Sequence, residues 1–143
     1  VAWYGFRTDI DFDPLPELLR DRGIGVITMK PFAGDFLIYP LMRVAEIYKE
    51  DKEVNFGQAC LRYVINSGIN PDTTLAGMYY PSHVYEDVEA YFKPHMTDEE
   101  RRLLKKVRRV AKTKVNAWLP DHYKFLAKWV PDYFCDETHY SSA

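Results

Sequence analysis

Cysteine is almost missing from this chain. Cys60 and Cys135 are the two, and they lie far apart. Their scarcity excludes a disulfide scaffold and an all-protein zinc or iron–sulfur site of ordinary cysteine density. It also makes a reducing, cytoplasmic compartment the expectation. The histidines do not compensate. His83, His95, His122 and His139 show no ligand spacing, and Cys135 and His139 have no second pair to complete a metal set, so no metal is expected. An excess of one charge is lacking too: 19 basic and 21 acidic residues leave a net charge of −2. Bulk charge therefore argues against a nucleic acid or an anionic membrane as partner. No apolar run approaches the roughly 18 residues of a membrane span. There is no internal repeat, low-complexity tract or glycine-rich linker, and no leader with a charged start and an apolar centre. The first residue is Val1 rather than Met, which reads as a processed chain or a piece of a longer one.

What is present is a globular composition. The 143 residues are 47% hydrophobic and 15% aromatic, with 11 Tyr, 8 Phe and 3 Trp. One domain with a substantial core is expected.

The order of elements points to α/β. Val1 to Tyr4 reads as a strand end that enters a loop at Gly5. Asp13 and Pro14 read as the cap and first position of a helix carrying Leu15, Leu18 and Leu19, which Gly23 ends. Ile24, Val26, Ile27 and Met29 form an apolar run of the kind buried on both faces of a parallel sheet. A helix is expected from Pro40 through Tyr48, and another after Asn55 through Ile65. Thr73 to Ala76 reads as the next strand, and Pro81 opens a further helix with Val84, Val88 and Tyr91 on one face. Thr97 and Glu100 make a capping-box pair for a long helix from Asp98 to about Lys112. A short helix over Asp121–Trp129 is expected in the tail. Strands alternating with helices in this way build βα units on a parallel sheet.

In such folds the chemistry gathers in loops at the carboxyl ends of strands. Thr28-Met29-Lys30-Pro31-Phe32-Ala33-Gly34 is one such loop. Its small residues let a ligand approach the backbone, its amides suit a phosphate oxygen, and Lys30 adds charge. The competing reading is an ordinary βα turn. Ala76-Gly77-Met78-Tyr79-Tyr80-Pro81 is the other loop. It opens a helix whose N-terminus suits an anion and whose His83, Glu86 and Asp87 share one face. Its competing reading is carboxylates compensating a helix dipole. Cys60 sits on an apolar helix face and reads as a buried small residue. The eight basic residues from Arg101 to Lys114 read as the solvated face of an amphipathic helix rather than as an RNA site.

Three segments in order carry a resemblance to a known family. They are Gly23-Ile24-Gly25-Val26-Ile27-Thr28-Met29-Lys30-Pro31-Phe32-Ala33-Gly34, then Ala59-Cys60-Leu61-Arg62-Tyr63-Val64-Ile65, then Leu75-Ala76-Gly77-Met78 through Glu86-Asp87. Together they resemble the carboxyl-terminal part of the aldo-keto reductases, in the version with Met-Lys-Pro after strand seven. The resemblance runs from about Val1 to Val107. It implies the carboxyl-terminal portion of a (β/α)8 TIM barrel, about strands six to eight with their helices, over residues 1–112. Residues 113–143 would be a tail packing on the barrel.

The resemblance also implies an NAD(P)H-dependent reduction of aldehydes or ketones, with a small carbonyl compound as substrate of the full-length enzyme. Met29 falls where the family usually has a Tyr stacked on the nicotinamide, and Lys30 falls at a Ser position beside it. Phe32 and Gly34 fall on the loop that holds the pyrophosphate. Gly77 and Met78 fall where NADPH-preferring members often carry Lys-Ser. His83 replaces an Arg that packs on adenine and contacts the 2′-phosphate. Glu86 matches an acidic residue at the adenine amine, and Asp87 replaces an Asn. Less positive charge for a 2′-phosphate makes NADH the favoured cofactor over NADPH. The family's catalytic Asp, Tyr, Lys and His all precede the first residue here, so no catalytic residue is assigned and the chain by itself is expected to be inactive. A complete barrel takes about 250 residues. A missing amino-terminal half is therefore one expectation. A non-catalytic nucleotide-sensing or scaffold subunit is another, and a half-barrel that needs a partner chain is a third.

Overall fold

The computed structural model describes residues 15–32, 34–50, 53–68 and 70–118. The expected strand at Val1–Tyr4, the Asp13–Pro14 cap and the short helix at Asp121–Trp129 lie outside them. Within them the chain is α/β, with five helices and a two-stranded parallel sheet.

Helix α1, Leu15–Asp21, ends as the sequence predicts. Gly23 takes φ 64°, which costs a side chain-free residue nothing. Its amide donates to the Arg20 carbonyl at 2.9 Å, and the Ile24 amide donates to the Leu19 carbonyl at 2.9 Å. This pair of bonds is the Schellman closure of a helix C-terminus.

Strand β1 is Ile27–Met29 and strand β2 is Thr73–Leu75. They pair in register, Ile27 with Thr73, Thr28 with Thr74 and Met29 with Leu75. The Thr28 and Thr74 hydroxyls meet at 2.8 Å. Before β1, Val26 is held to Asp72 twice. Its amide donates to the Asp72 carboxylate at 2.7 Å, and its carbonyl accepts the Asp72 amide at 3.0 Å. The apolar run was expected to be buried on both faces, and here the structure corrects it. Thr28 is 3% exposed, but Ile27 is 66% and Met29 54% exposed. Among the described residues nothing covers the face that carries Ile27 and Met29, and the exposure alternates with the strand's period of two.

Helix α2, Asp35–Tyr48, starts five residues before the expected Pro40, which lies inside it. Gly34, at φ 78°, is its N-cap and accepts the Leu37 and Ile38 amides. Proline inside a helix removes one backbone bond. Burial of Leu37 and Leu41, each 2% exposed on the same side, offsets that loss.

Helix α3, Phe56–Ile65, is capped by Asn55, whose side chain accepts the Gln58 amide at 3.1 Å. Helix α4 is Pro81–Phe92, with Pro81 at its first position. Helix α5, Asp98–Trp118, begins with the expected capping box. The Thr97 amide donates to the Glu100 carboxylate at 2.8 Å, and the Glu100 amide donates to the Thr97 hydroxyl at 3.1 Å. It runs six residues past the expected end at Lys112, so the boundary drawn there falls inside a helix.

The core joins α2, α3 and α5. Leu37, Leu41, Val44, Ala45, Phe56, Cys60, Leu103, Val107 and Ala111 form one buried cluster, with Phe32 and Trp118 packed against it. A buried polar cluster docks α4. Arg62, on α3, pairs with Glu100, donates to the Lys93 carbonyl at 2.7 Å and reaches the Gln58 amide oxygen at 3.3 Å. Gln58 in turn donates to the Glu86 carbonyl at 3.1 Å and to the Glu89 carboxylate at 2.9 Å.

Candidate functional site

Because β1 and β2 are parallel and in register, their carboxyl ends emerge side by side. Met29 lies opposite Leu75, so the loops that follow them start about one strand spacing, roughly 4.8 Å, apart. The structure thus brings Met29 and Lys30 to the same sheet edge as the Ala76–Tyr80 turn.

On the first loop, Met29 is more than half exposed. Lys30 takes φ 57°, a conformation uncommon outside glycine, and turns the chain sharply at the strand end. Phe32, partly buried, packs against the core cluster. Gly34 caps α2, and a side chain there would meet nothing within 4 Å, so its surface is open to a ligand.

On the second loop, Gly77 is likewise open and Met78 is half-exposed. His83 is tied back to the turn: its Nδ1 accepts the Tyr79 amide at 3.3 Å. The Tyr80 ring stands edge-on to the imidazole at 5.3 Å. Glu86 and Asp87 follow on the same face of α4, which is the face toward α3. Asp87 keeps one carboxylate oxygen buried, with no hydrogen-bond partner among the described residues. Burial raises the Asp87 carboxyl above its ordinary range; nearby His83 opposes the shift and Glu86 adds to it.

That raised carboxyl predicts a pH effect. A carboxyl that binds its proton more tightly in the folded chain destabilises the fold once ionised. Stability should therefore fall as pH rises from the ordinary aspartate value through the raised one. Asp87→Asn is expected to remove this loss, so that the variant is the more stable chain at neutral pH. Its advantage should fade below the ordinary aspartate range. Urea titrations at several pH values check it, and an advantage that persists at low pH would contradict it.

Sequence reasoning missed the supports of this site. The sequence pattern assigns Gln58 and Arg62 no role of their own, yet they hold Glu86, Glu89 and Lys93 in place. The available signal was two long polar residues, one turn apart, amid Phe56, Ala59, Cys60, Leu61 and Val64. Cys60 is the buried residue the sequence suggests, its thiol pushed up to about 12 by burial, which suits packing and not nucleophilic attack.

Among the described residues, no group of three or more His, Cys, Asp or Glu could hold a metal ion, and no helix is long and apolar enough to cross a membrane. No family model matches the chain, and neither a curated protein nor a solved structure does.

Proposed function

We propose that this chain is the NAD(P)H-binding portion of an oxidoreductase that reduces aldehydes or ketones by hydride transfer. The observation that carries the reading is the pairing of two loops at one sheet edge. One offers Met29, Lys30 and Gly34, and the other runs from Gly77 into the N-terminus of α4. In this reading the chain is the carboxyl-terminal part of a (β/α)8 barrel, and the proton-donating residues come from outside it.

The residues fit a dinucleotide. Open backbone at Gly34 and Gly77 admits phosphates, and orphan amides at helix starts suit their charge. A thioether packs on an aromatic ring at Met29. The partly exposed Glu86 carboxylate would accept an N–H group of a base. When bound, the nicotinamide supplies the hydride, and this chain orients it.

NADH is the favoured cofactor. From Gly77 to Asp87 the chain offers two carboxylates and one imidazole, and no Lys or Arg. NADH is expected to bind at least as tightly as NADPH. Adding Gly77→Lys and His83→Arg should shift the ratio toward NADPH by about tenfold, or 1.4 kcal/mol, the low end for a hydrogen bond to a charged group. Space at Gly77 permits the first change, since nothing lies within 4 Å of a side chain there. Fluorescence titration with both nucleotides tests this, and NADPH bound tenfold tighter by the unaltered chain would sink it. Carbonyl-dependent NADH oxidation tests the parent activity.

A second observation favours completion of the sheet by more protein. Ile27, Met29 and Leu75 expose an apolar face on a parallel pair, and parallel sheets are covered on both faces. A preceding segment or a partner chain would supply that cover. A mass well above that of this chain for the native protein, measured under denaturing conditions, would favour the preceding segment.

A further inference from the structure

Helix α4 has two unlike faces. His83, Glu86, Asp87 and the fully buried Ala90 lie toward α3. At about 100° per residue, Val84, Tyr85, Val88, Tyr91 and Phe92 fall on the opposite side, with Val88 at the centre. Among the described residues nothing covers that side: Tyr85 is 77%, Tyr91 72% and Phe92 75% exposed. With both valines, and at about 150–250 Å² per aromatic side chain, the stripe amounts to roughly 600 Å². This reaches the top of the range for the largest patch on a monomer, about 300–600 Å². It comes near the roughly 800 Å² that each partner brings to a stable interface.

We propose that this stripe is a self-complementary surface through which two copies of the chain pair, with their α4 helices antiparallel about a twofold axis at Val88. The sequence pattern of the stripe specifies the partner. In such a pairing, a residue a given distance before Val88 meets the residue the same distance after it on the other copy. Val88 then meets Val88, the small Val84 meets the large Phe92, and Tyr85 meets Tyr91. Small side chains oppose large ones and rings oppose rings, the self-matching that a twofold interface demands. The bordering Glu89 is paired with Lys93 at 2.7 Å within its own copy, so no unpaired like charges face each other there. Antiparallel helices also oppose their dipoles favourably. His83, Glu86 and Asp87 stay on the far side, so the pairing stands whether or not the nucleotide reading does.

Light scattering on the 143-residue chain is expected to give twice its 16.8 kDa mass. Val88→Asp should return the single-chain mass with the far-UV circular dichroism unchanged. A Val88→Cys chain that also carries Cys135→Ser should become a covalent dimer on mild oxidation, because the twofold axis brings the two thiols together. Should Val88→Asp fold poorly, this cross-link decides. A single-chain mass for the unaltered protein would overturn the proposal, as would a dimer indifferent to both changes at Val88. A single-chain mass with the Val88→Cys thiol shielded from reagents would put the stripe under the chain's own residues, and that too would overturn it.

Discussion

Truncating Glu100 to Ala is expected to lower the unfolding free energy by about 3–5 kcal/mol, the usual cost of removing one partner of a buried ion pair. Arg62 and Glu100 are 8% and 3% exposed, so the charge left on Arg62 would have little water to turn to. The carboxylate also serves a second donor, the Thr97 amide that opens α5, and that cap is lost with it. The loss should not be mistaken for the net worth of the pair. Replacing both residues, Arg62→Met with Glu100→Leu, is expected to recover much of the stability, because two apolar side chains leave no buried charge. The recovery should stop about 2 kcal/mol short, about 1 for the missing cap and about 1 for the bond Arg62 no longer gives the Lys93 carbonyl. Urea unfolding followed by circular dichroism measures all three chains. A Glu100→Ala chain within 1 kcal/mol of the parent would show that the pair is solvated and carries little. If the chain binds a dinucleotide as proposed, the same substitution should weaken NADH binding, since Arg62 also holds the Lys93 carbonyl at the end of α4.

The features that were legible in the sequence are those decided within a few residues. Gly23, Asn55 and the Thr97–Glu100 pair each close a helix end through bonds to neighbours three to five positions away. Such signals survive without knowledge of the fold. The start of α2 was not legible, because Pro40 is a strong local opening signal and the burial of Leu37 that overrides it depends on α5, far along the chain. The burial of β1 failed for a related reason. An apolar run shows that two faces would be stable when covered, but the cover comes from elsewhere, and Ile27 and Met29 stand exposed. At the candidate site, the strand-end loops could be located from the βα order alone. The acceptor role of His83 Nδ1 could not, because it depends on how the Tyr79–Tyr80 turn folds back on α4. Arg62 shows the limit most clearly: its partner is 38 residues away, beyond any local pattern.

Leu41→Ala should separate the core from the site. Leu41 is 2% exposed and lies in the cluster that joins α2 to Phe56, Leu103 and Val107. Removing its buried methyl groups is expected to cost about 2–5 kcal/mol, from lost transfer energy and the cavity left behind. Helix propensity will not account for the loss, because Ala is the better helix former. Leu41→Met, which keeps the volume, should cost less than about 1.5 kcal/mol. A loss below about 1 kcal/mol for Leu41→Ala would mean that the neighbouring helices close over the gap. The consequence for function follows from where α4 is anchored. Its hydrogen bonds to α3 run through Gln58 and Arg62, and neither belongs to the core cluster that holds Leu41. On the proposed dinucleotide reading, NADH affinity of the folded Leu41→Ala chain should therefore match that of the parent, even though the fold is weaker, while Glu100→Ala loses both. If Leu41→Ala weakened binding as much as Glu100→Ala, α4 would be held by the core as a whole, and the Arg62–Gln58 network would lose its place as the support of the candidate site.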